Sequence, residues 1–171
     1  MKKQPDFRQL FYDYFGSKPK KVTYSIRQDS NRYHDLLFFK SLIHDARFKR
    51  KDIKIRGKKL TVQLNRDCWE LGFVEHKKHS ELYIANSRMS ISTVSDLEWC
   101  FHNESEMNPE SELWIHDILI QRESYEILKV ILDGDGWSLH MKASDDDFNM
   151  TIQDIEVPYL YSNKTKTEQK H

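Results

Sequence analysis

The chain has 171 residues, of which 38% are hydrophobic and 12% aromatic, which is enough for a buried core and excludes a wholly disordered chain. Its 27 basic and 27 acidic residues cancel, but residues 1–88 carry a balance of +11 and residues 89–171 a balance of −11. No apolar run approaches the roughly 20 residues that cross a membrane, and acidic residues interrupt the N-terminal segment where a secretion signal needs an apolar core. We therefore expect a cytoplasmic protein that does not enter membranes.

Two helices are predicted from large apolar residues that recur at helical spacing. The first spans residues 6–15, and Gly16 supplies a stop signal. The second lies between residues 30 and 46. Their apolar stripes are Phe7, Leu10, Phe11 and Tyr14 in the first helix and Leu36, Phe39, Ile43 and Ala46 in the second. The first stripe suits packing on the protein's own sheet, with docking of a partner as the alternative.

Strands are predicted where apolar and polar residues alternate. A short strand at 22–26 precedes the clearest feature of the chain, a hairpin at 52–64 that turns at Gly57. The pattern then predicts a strand at 68–74, a second hairpin that turns at Asn86-Ser87, and a short helix that begins at Ser95-Asp96.

The C-terminal third has the pattern of a β meander, with strands at 112–121, 125–132, 137–142 and 148–157. Near the end the apolar alternation shifts by one position, and a bulge near Asp154 would return it to one face. The predicted fold class is α+β: a largely antiparallel, curved sheet of about eight strands covered by one or two helices.

One domain is predicted for residues 1–161, with lobes at 22–94 and 112–158 as an alternative division and a disordered tail at 162–171. The motif Ile-His-Asp occurs at Ile43 and at Ile115, each time ahead of a hairpin with a glycine turn. This layout suggests an internal duplication. The competing explanation is a chance recurrence among several hairpins.

The predicted partner-binding surface is the strongly basic segment around the 52–64 hairpin. Within residues 47–59, Asp52 is the single acid among eight cations. These cations are Arg47, Lys49, Arg50, Lys51, Lys54, Arg56, Lys58 and Lys59. Phe48 is the one aromatic residue there, so the interleaved stacking residues of single-strand RNA binders are not evident. The alternatives are a solvated sheet face and internal neutralisation by the acidic half of the chain.

Three His-Asp pairs give a second, less favoured hypothesis, a metal-dependent hydrolase site. Its predicted ligands are His34, His44, Asp45, His116 and Asp117. His76 and His79 have the i, i+3 spacing of metal ligands, but two lysines lie between them and no second Cys or His pair stands at a zinc-site distance. A solvated loop is therefore the favoured interpretation of that segment.

No nucleophile elbow, phosphate-binding glycine loop or dinucleotide fingerprint is present in the sequence. The predicted function is therefore a non-catalytic binding or interaction module with a protein partner and no cofactor. A nucleic-acid-binding protein that uses the basic hairpin and a metal-dependent hydrolase remain the alternatives.

Overall fold

The computed structural model of the protein describes residues 19–27, 32–102 and 108–162. This part of the chain forms one α-helix, α1 (Arg32–Ile43), and thirteen strands. The strands are β1 (Thr23–Arg27), β2 (Ala46–Lys49), β3 (Ile53–Arg56), β4 (Lys59–Asp67), β5 (Phe73–Glu75), β6 (Ser80–Ile91), β7 (Val94–Phe101), β8 (Glu112–Ile115), β9 (Asp117–Arg122), β10 (Ile127–Gly134), β11 (Trp137–Ser144), β12 (Asn149–Asp154) and β13 (Tyr159–Leu160). The predicted first helix and the C-terminal tail beyond residue 162 lie outside the described residues.

The large sheet has nine strands, and all its pairs are antiparallel. Its main order is β1-β12-β6-β4-β2-β8, with β3 beside β4 and with β5 and β13 beside β6. The central pair, β4 and β6, is in register from Leu60 opposite Ile91 to Asp67 opposite Ile84. Alternate residues of β4 therefore point into the core, and the others form a polar outer face.

The small sheet has four antiparallel strands in the order β7-β11-β10-β9. It meets the large sheet where the backbone N–H of His116 donates to the carbonyl of Asp133 at 2.8 Å. At the end of β10, a Cβ atom added to Gly134 would lie 2.2 Å from the Trp114 carbonyl oxygen of β8. Only glycine allows this close approach of the two sheets.

Side chains from both sheets and from α1 bury one hydrophobic cluster. It extends from Val22 in the segment before β1 to Ile152 in β12, and it includes Phe39 and Ile43 of the helix. The helix ends at Ile43, and Asp45, two residues later, adopts the left-handed conformation with a φ of +62°. The chain then turns directly into β2, whereas the helix itself packs against β1 and β4.

The predicted α+β class with antiparallel pairing is confirmed, as are both glycine-turned hairpins. The second helix is also confirmed, but it ends at Ile43, so Ala46 of its predicted stripe lies in β2 instead. Gly57 and Gly136 have φ angles of +58° and +78°. The described residues form more strands than the predicted eight, because His116 divides one predicted strand into β8 and β9 and because β2, β7 and β13 were not predicted as strands. The curvature of the sheet stays a prediction.

Three predicted elements are wrong. Asn86-Ser87 is no turn but lies inside β6, a straight run of 12 residues. The helix predicted from Ser95 is strand β7, which pairs with β11. The strand predicted at 68–74 is a 3₁₀ turn at Trp69–Leu71 followed by β5.

The predicted bulge near Asp154 is also wrong. The strand ends at Asp154, and Ile155 and Val157 are 40% and 52% exposed instead of sharing the buried face of Ile152. Asp154 itself is buried because its carboxylate binds Arg66. The alternation of apolar residues shifts at this point because Asp154, paired with Arg66, occupies a core position of the strand.

The duplication stays a hypothesis, and the neighbours of the two segments differ. After the first Ile-His-Asp motif, β2 pairs with β4. After the second, β9 pairs with β10, the strand that corresponds to β3 rather than to β4.

Within the described residues, no helix combines the length and apolarity needed to cross a membrane.

Candidate functional site

The eight cations of the basic segment fall into two groups of four. Arg47, Lys49, Arg50 and Lys51 lie in β2 and in the 3₁₀ turn after it, and each has a partner within the molecule. Lys54, Arg56, Lys58 and Lys59 lie in the hairpin of β3 and β4, all exposed. Within the described parts of the chain, no hydrogen bond or ion pair engages the side chains of this second group.

Arg47 is held on two sides. Its Nη2 atom donates to Oδ1 of Asp67 at 2.7 Å, and its guanidinium lies 5.2 Å from the ring centre of Trp114. Arg50 lies 5.6 Å from the ring centre of Trp99, again in cation–π geometry. Arg47 therefore packs β2 against β8, and Arg50 packs the 3₁₀ turn after β2 against β7.

Lys49 and Lys51 share one carboxylate of the acidic half of the chain. Their Nζ atoms lie 3.5 and 2.7 Å from Oε2 of Glu110. The hydrogen bond with Glu110 raises the pKa of the Lys51 ammonium, and the same bond lowers the pKa of the Glu110 carboxyl. Internal neutralisation therefore explains this part of the basic segment.

Three of the four hairpin cations, Lys54, Arg56 and Lys59, line an open groove of about 420 Å³ on the outer face of the large sheet. We call it the cationic groove. Its lining residues are Asp52, Lys54, Arg56, Lys59, Thr61, Gln63 and Arg88. Four cations and one carboxylate give this lining a formal charge of +3. The carboxylate of Asp52 accepts the backbone N–H of Lys49 at 3.3 Å.

Strand register explains why these side chains converge. Arg56 pairs with Lys59 across the hairpin, and Lys54 pairs with Thr61. On the other side of β4, Gln63 lies opposite Arg88 of β6. Because side chains alternate along a strand, these residues share the outer face.

The groove continues into a second cavity of about 240 Å³. Asp52 and Gln63 line both cavities, and the second also contacts Asn65, Asn86 and Glu112. The amide side chains of the second cavity lie toward the centre of the sheet, together with Arg47 and Lys49, which also line it.

The like charges of the groove are unfavourable in the isolated protein. Arg56 and Lys59 lie directly opposite one another, and Lys58 occupies the turn between them. Like charges at cross-strand positions destabilise a hairpin. An anion in the groove would remove this repulsion.

Arg88 is the groove residue that the sequence did not reveal. It is the single cation in the predicted second hairpin, and a turn at Asn86-Ser87 would have placed it away from β4. The sequence does contain a signal for its position. Small or apolar residues alternate at Ala85, Ser87 and Met89, straight through the predicted turn, and all three are buried. That alternation puts Arg88 on the outer face.

Four of the five predicted metal ligands lie close together beside the end of α1. Nδ1 of His44 is 2.9 Å from Oδ2 of Asp45, and the rings of His44 and His116 stack with centres 6.4 Å apart. The carboxylate of Asp117, however, lies 2.8 Å from Nζ of Lys40, so a lysine already neutralises it.

His34 lies ten residues before His44, about 15 Å along a helix, and joins no cluster with the other four. The neighbouring Asp35 accepts the hydroxyl of Tyr24 at 2.6 Å. Among the described residues, one group of His, Cys, Asp or Glu side chains brings three ligand atoms within 4.8 Å of one another. This group lies elsewhere, at His76, His79 and Glu81.

Comparison with known proteins finds no matching family model, no similar curated protein and no similar solved structure. Function must therefore be inferred from the residues of the site.

Proposed function

We propose that the protein is a non-catalytic binding module whose cationic groove binds an acidic segment of a partner protein. The observation that supports this most strongly is the set of four exposed cations, Lys54, Arg56, Lys59 and Arg88, without an acidic partner within the described chain. Of the predicted cations outside the groove, Arg47, Lys49, Arg50 and Lys51 have such partners or aromatic ones, and Lys58 lies in the adjoining turn. The groove is therefore where unneutralised positive charge concentrates.

The chemistry of the lining favours binding over catalysis. Among the described residues that line the groove, there is one carboxylate and no imidazole or thiol. General acid–base and nucleophilic mechanisms need such groups in hydrogen-bonding pairs. Lysine, arginine, hydroxyl and amide groups instead suit an extended chain of carboxylates and backbone carbonyls.

A nucleic-acid backbone is the second candidate, because arginine and lysine also bind phosphates. No aromatic side chain is among the groove's described lining residues, so bases would have nothing to stack on. We therefore place the acidic protein segment first.

We also propose that the protein resides in the cytoplasm. The free thiols of Cys68 and Cys100 fit that reducing compartment.

The test compares two fluorescent probes of similar charge, a decaglutamate peptide and a ten-nucleotide single strand. The groove variant replaces Lys54, Arg56, Lys59 and Arg88 with alanine. The matched control replaces four other exposed lysines, Lys20, Lys21, Lys77 and Lys78, so both variants lose four positive charges. Binding is measured by fluorescence anisotropy in 100 mM salt.

We expect the groove variant to bind decaglutamate about 30-fold more weakly than the parent, since four exposed ion pairs contribute about 0.5 kcal/mol each. The control should bind like the parent. Groove-dependent binding of the oligonucleotide with higher affinity than the peptide would replace the protein partner with a nucleic acid. Equal weakening in both variants would show that only net charge matters and would contradict a specific groove.

A further inference from the structure

A tight turn brings two histidines together at the tip of the β5–β6 hairpin. Glu75 pairs with Ser80, and beyond them the backbone N–H of His76 donates to the carbonyl of His79 at 2.9 Å. Lys77 and Lys78 form the two-residue turn. The two imidazole rings consequently stack, with their centres 4.7 Å apart and an angle of 22° between them.

Glu81 lies beside this pair and is fixed in place. Its Oε1 atom accepts the backbone N–H of Ser162 at 2.7 Å. Its Oε2 atom is buried, accepts no well-aligned hydrogen bond, and lies 3.2 Å from Nε2 of His76. The side chain is 13% exposed, so this carboxylate oxygen is oriented toward the histidines with little contact with water.

We propose that His76, His79 and Glu81 form a binding site for a divalent transition-metal ion, and that Zn²⁺ is the ion that fits it best. One atom from each residue lies within 4.8 Å of the others. Ligand bonds of about 2.0–2.2 Å in a tetrahedron put neighbouring ligand atoms roughly 3.3–3.5 Å apart. The 3.2 Å between Nε2 of His76 and Oε2 of Glu81 is already close to that separation. The exposed ring of His79 supplies the third ligand atom.

The ligand types select the metal. Two imidazole nitrogens and one carboxylate oxygen suit Zn²⁺, whereas Ca²⁺ and Mg²⁺ take sets made of oxygen ligands. Three protein ligands leave the fourth position of the tetrahedron to water. The hydrogen bond from Ser162 acts as the outer-shell contact that orients a ligating carboxylate.

The metal would connect parts of the chain that otherwise have few links. β5 has three residues, and within the described residues it pairs with β6 alone. Glu81 belongs to β6 and is bonded to Ser162, which follows β13. Binding of Zn²⁺ should therefore hold the hairpin tip against the segment that follows β13.

Zinc titration of the untagged, chelator-treated protein tests the site by calorimetry. We expect one Zn²⁺ per chain, and affinity at least about 10-fold lower in His76→Ala and in His79→Ala. The matched control is the double variant His44→Ala/His116→Ala, which removes the other stacked pair of exposed imidazoles. It should bind like the parent, and Ca²⁺ should bind to none of the proteins.

A parent protein that takes up no Zn²⁺, or one whose uptake depends on His44 and His116 instead, would overturn the proposal. Hydrogen exchange of the parent with and without Zn²⁺ gives a readout that needs no variant. Slower exchange confined to residues 73–81 and the segment around Ser162 supports the site. Unchanged exchange there in saturating Zn²⁺ would contradict it, whatever the result for the cationic groove.

Discussion

Replacing Arg66 with alanine should lower the free energy of unfolding by about 3–5 kcal/mol, because the change leaves two buried carboxylates without a counter-charge. Nε and Nη2 of Arg66 donate to the two carboxylate oxygens of Asp154 at 2.9 and 2.8 Å. Nη2 also lies 2.7 Å from Oε1 of Glu70. All three side chains are at most 2% exposed.

Asp154 connects this ion pair to the rest of the large sheet. It accepts the hydroxyl of Ser87 at 2.6 Å and the backbone N–H of Val22 at 2.9 Å. Burial lowers the pKa of the Arg66 guanidinium, but its hydrogen bonds to Asp154 and the charge of Glu70 outweigh burial and raise that pKa above its ordinary value. The arginine therefore stays charged in the core.

Urea unfolding followed by circular dichroism measures this effect. The matched control is Arg88→Ala, an exposed arginine on the neighbouring strand, which should change stability by no more than about 0.5 kcal/mol. A cost below about 1 kcal/mol for Arg66→Ala would show that the buried charges find other partners.

Trp137→Ala should cost about 3–5 kcal/mol, the usual range for removing a fully buried aromatic side chain. Trp137 is 1% exposed and lies where the two sheets meet. Its ring contacts Phe48 of the large sheet edge-on at 5.4 Å and Trp99 of the small sheet at 5.7 Å. The indole also fits against Gly134, where a Cβ atom would lie 2.2 Å from Nε1.

Trp114→Ala is the control for this change, because Trp114 is 41% exposed and its main contact is the cation–π pair with Arg47. We expect it to cost about 0.5–1 kcal/mol. Trp137→Phe should fall between the two, since it keeps an aromatic ring and removes a buried N–H without a hydrogen-bond partner within the described residues. If Trp137→Ala cost no more than Trp114→Ala, Trp137 would not hold the two sheets together.

Elements with local signals were predictable from the sequence. The hairpin of β3 and β4 needed only alternation and a glycine able to adopt positive φ at Gly57. The helix α1 followed from apolar residues at helical spacing, of which Phe39 and Ile43 are buried as expected. In these segments the nearest neighbours along the chain determine the conformation.

Elements that depend on distant partners were not predictable. Ser87 has the composition of a turn, yet it lies in β6 because its hydroxyl binds Asp154, 67 residues later. Arg66 lies beyond the predicted hairpin, which ended at residue 64, but β4 continues through it because Asp154, 88 residues away, stabilises it on the core face. A polar residue at a core position is interpretable only when its partner is known.

The same reason limited the prediction of the groove. The sequence placed eight cations in one segment but could not show that Glu110, Trp99 and Asp67 engage four of them. It also could not show that Arg88 joins the others across β4. Composition identified the basic segment, and strand register determined which of its cations lie together on the outer face of the sheet.

Unneutralised cations in the groove should attract an anionic partner, and a salt titration tests this claim most directly. The dissociation constant for decaglutamate is measured between 50 and 200 mM NaCl, a range in which the Debye length falls from about 14 to about 7 Å. We expect binding by the parent and by the Lys20, Lys21, Lys77, Lys78 control to weaken steeply with salt. The groove variant should bind weakly and almost independently of salt. A groove variant with the affinity and the salt dependence of the parent would contradict the claim.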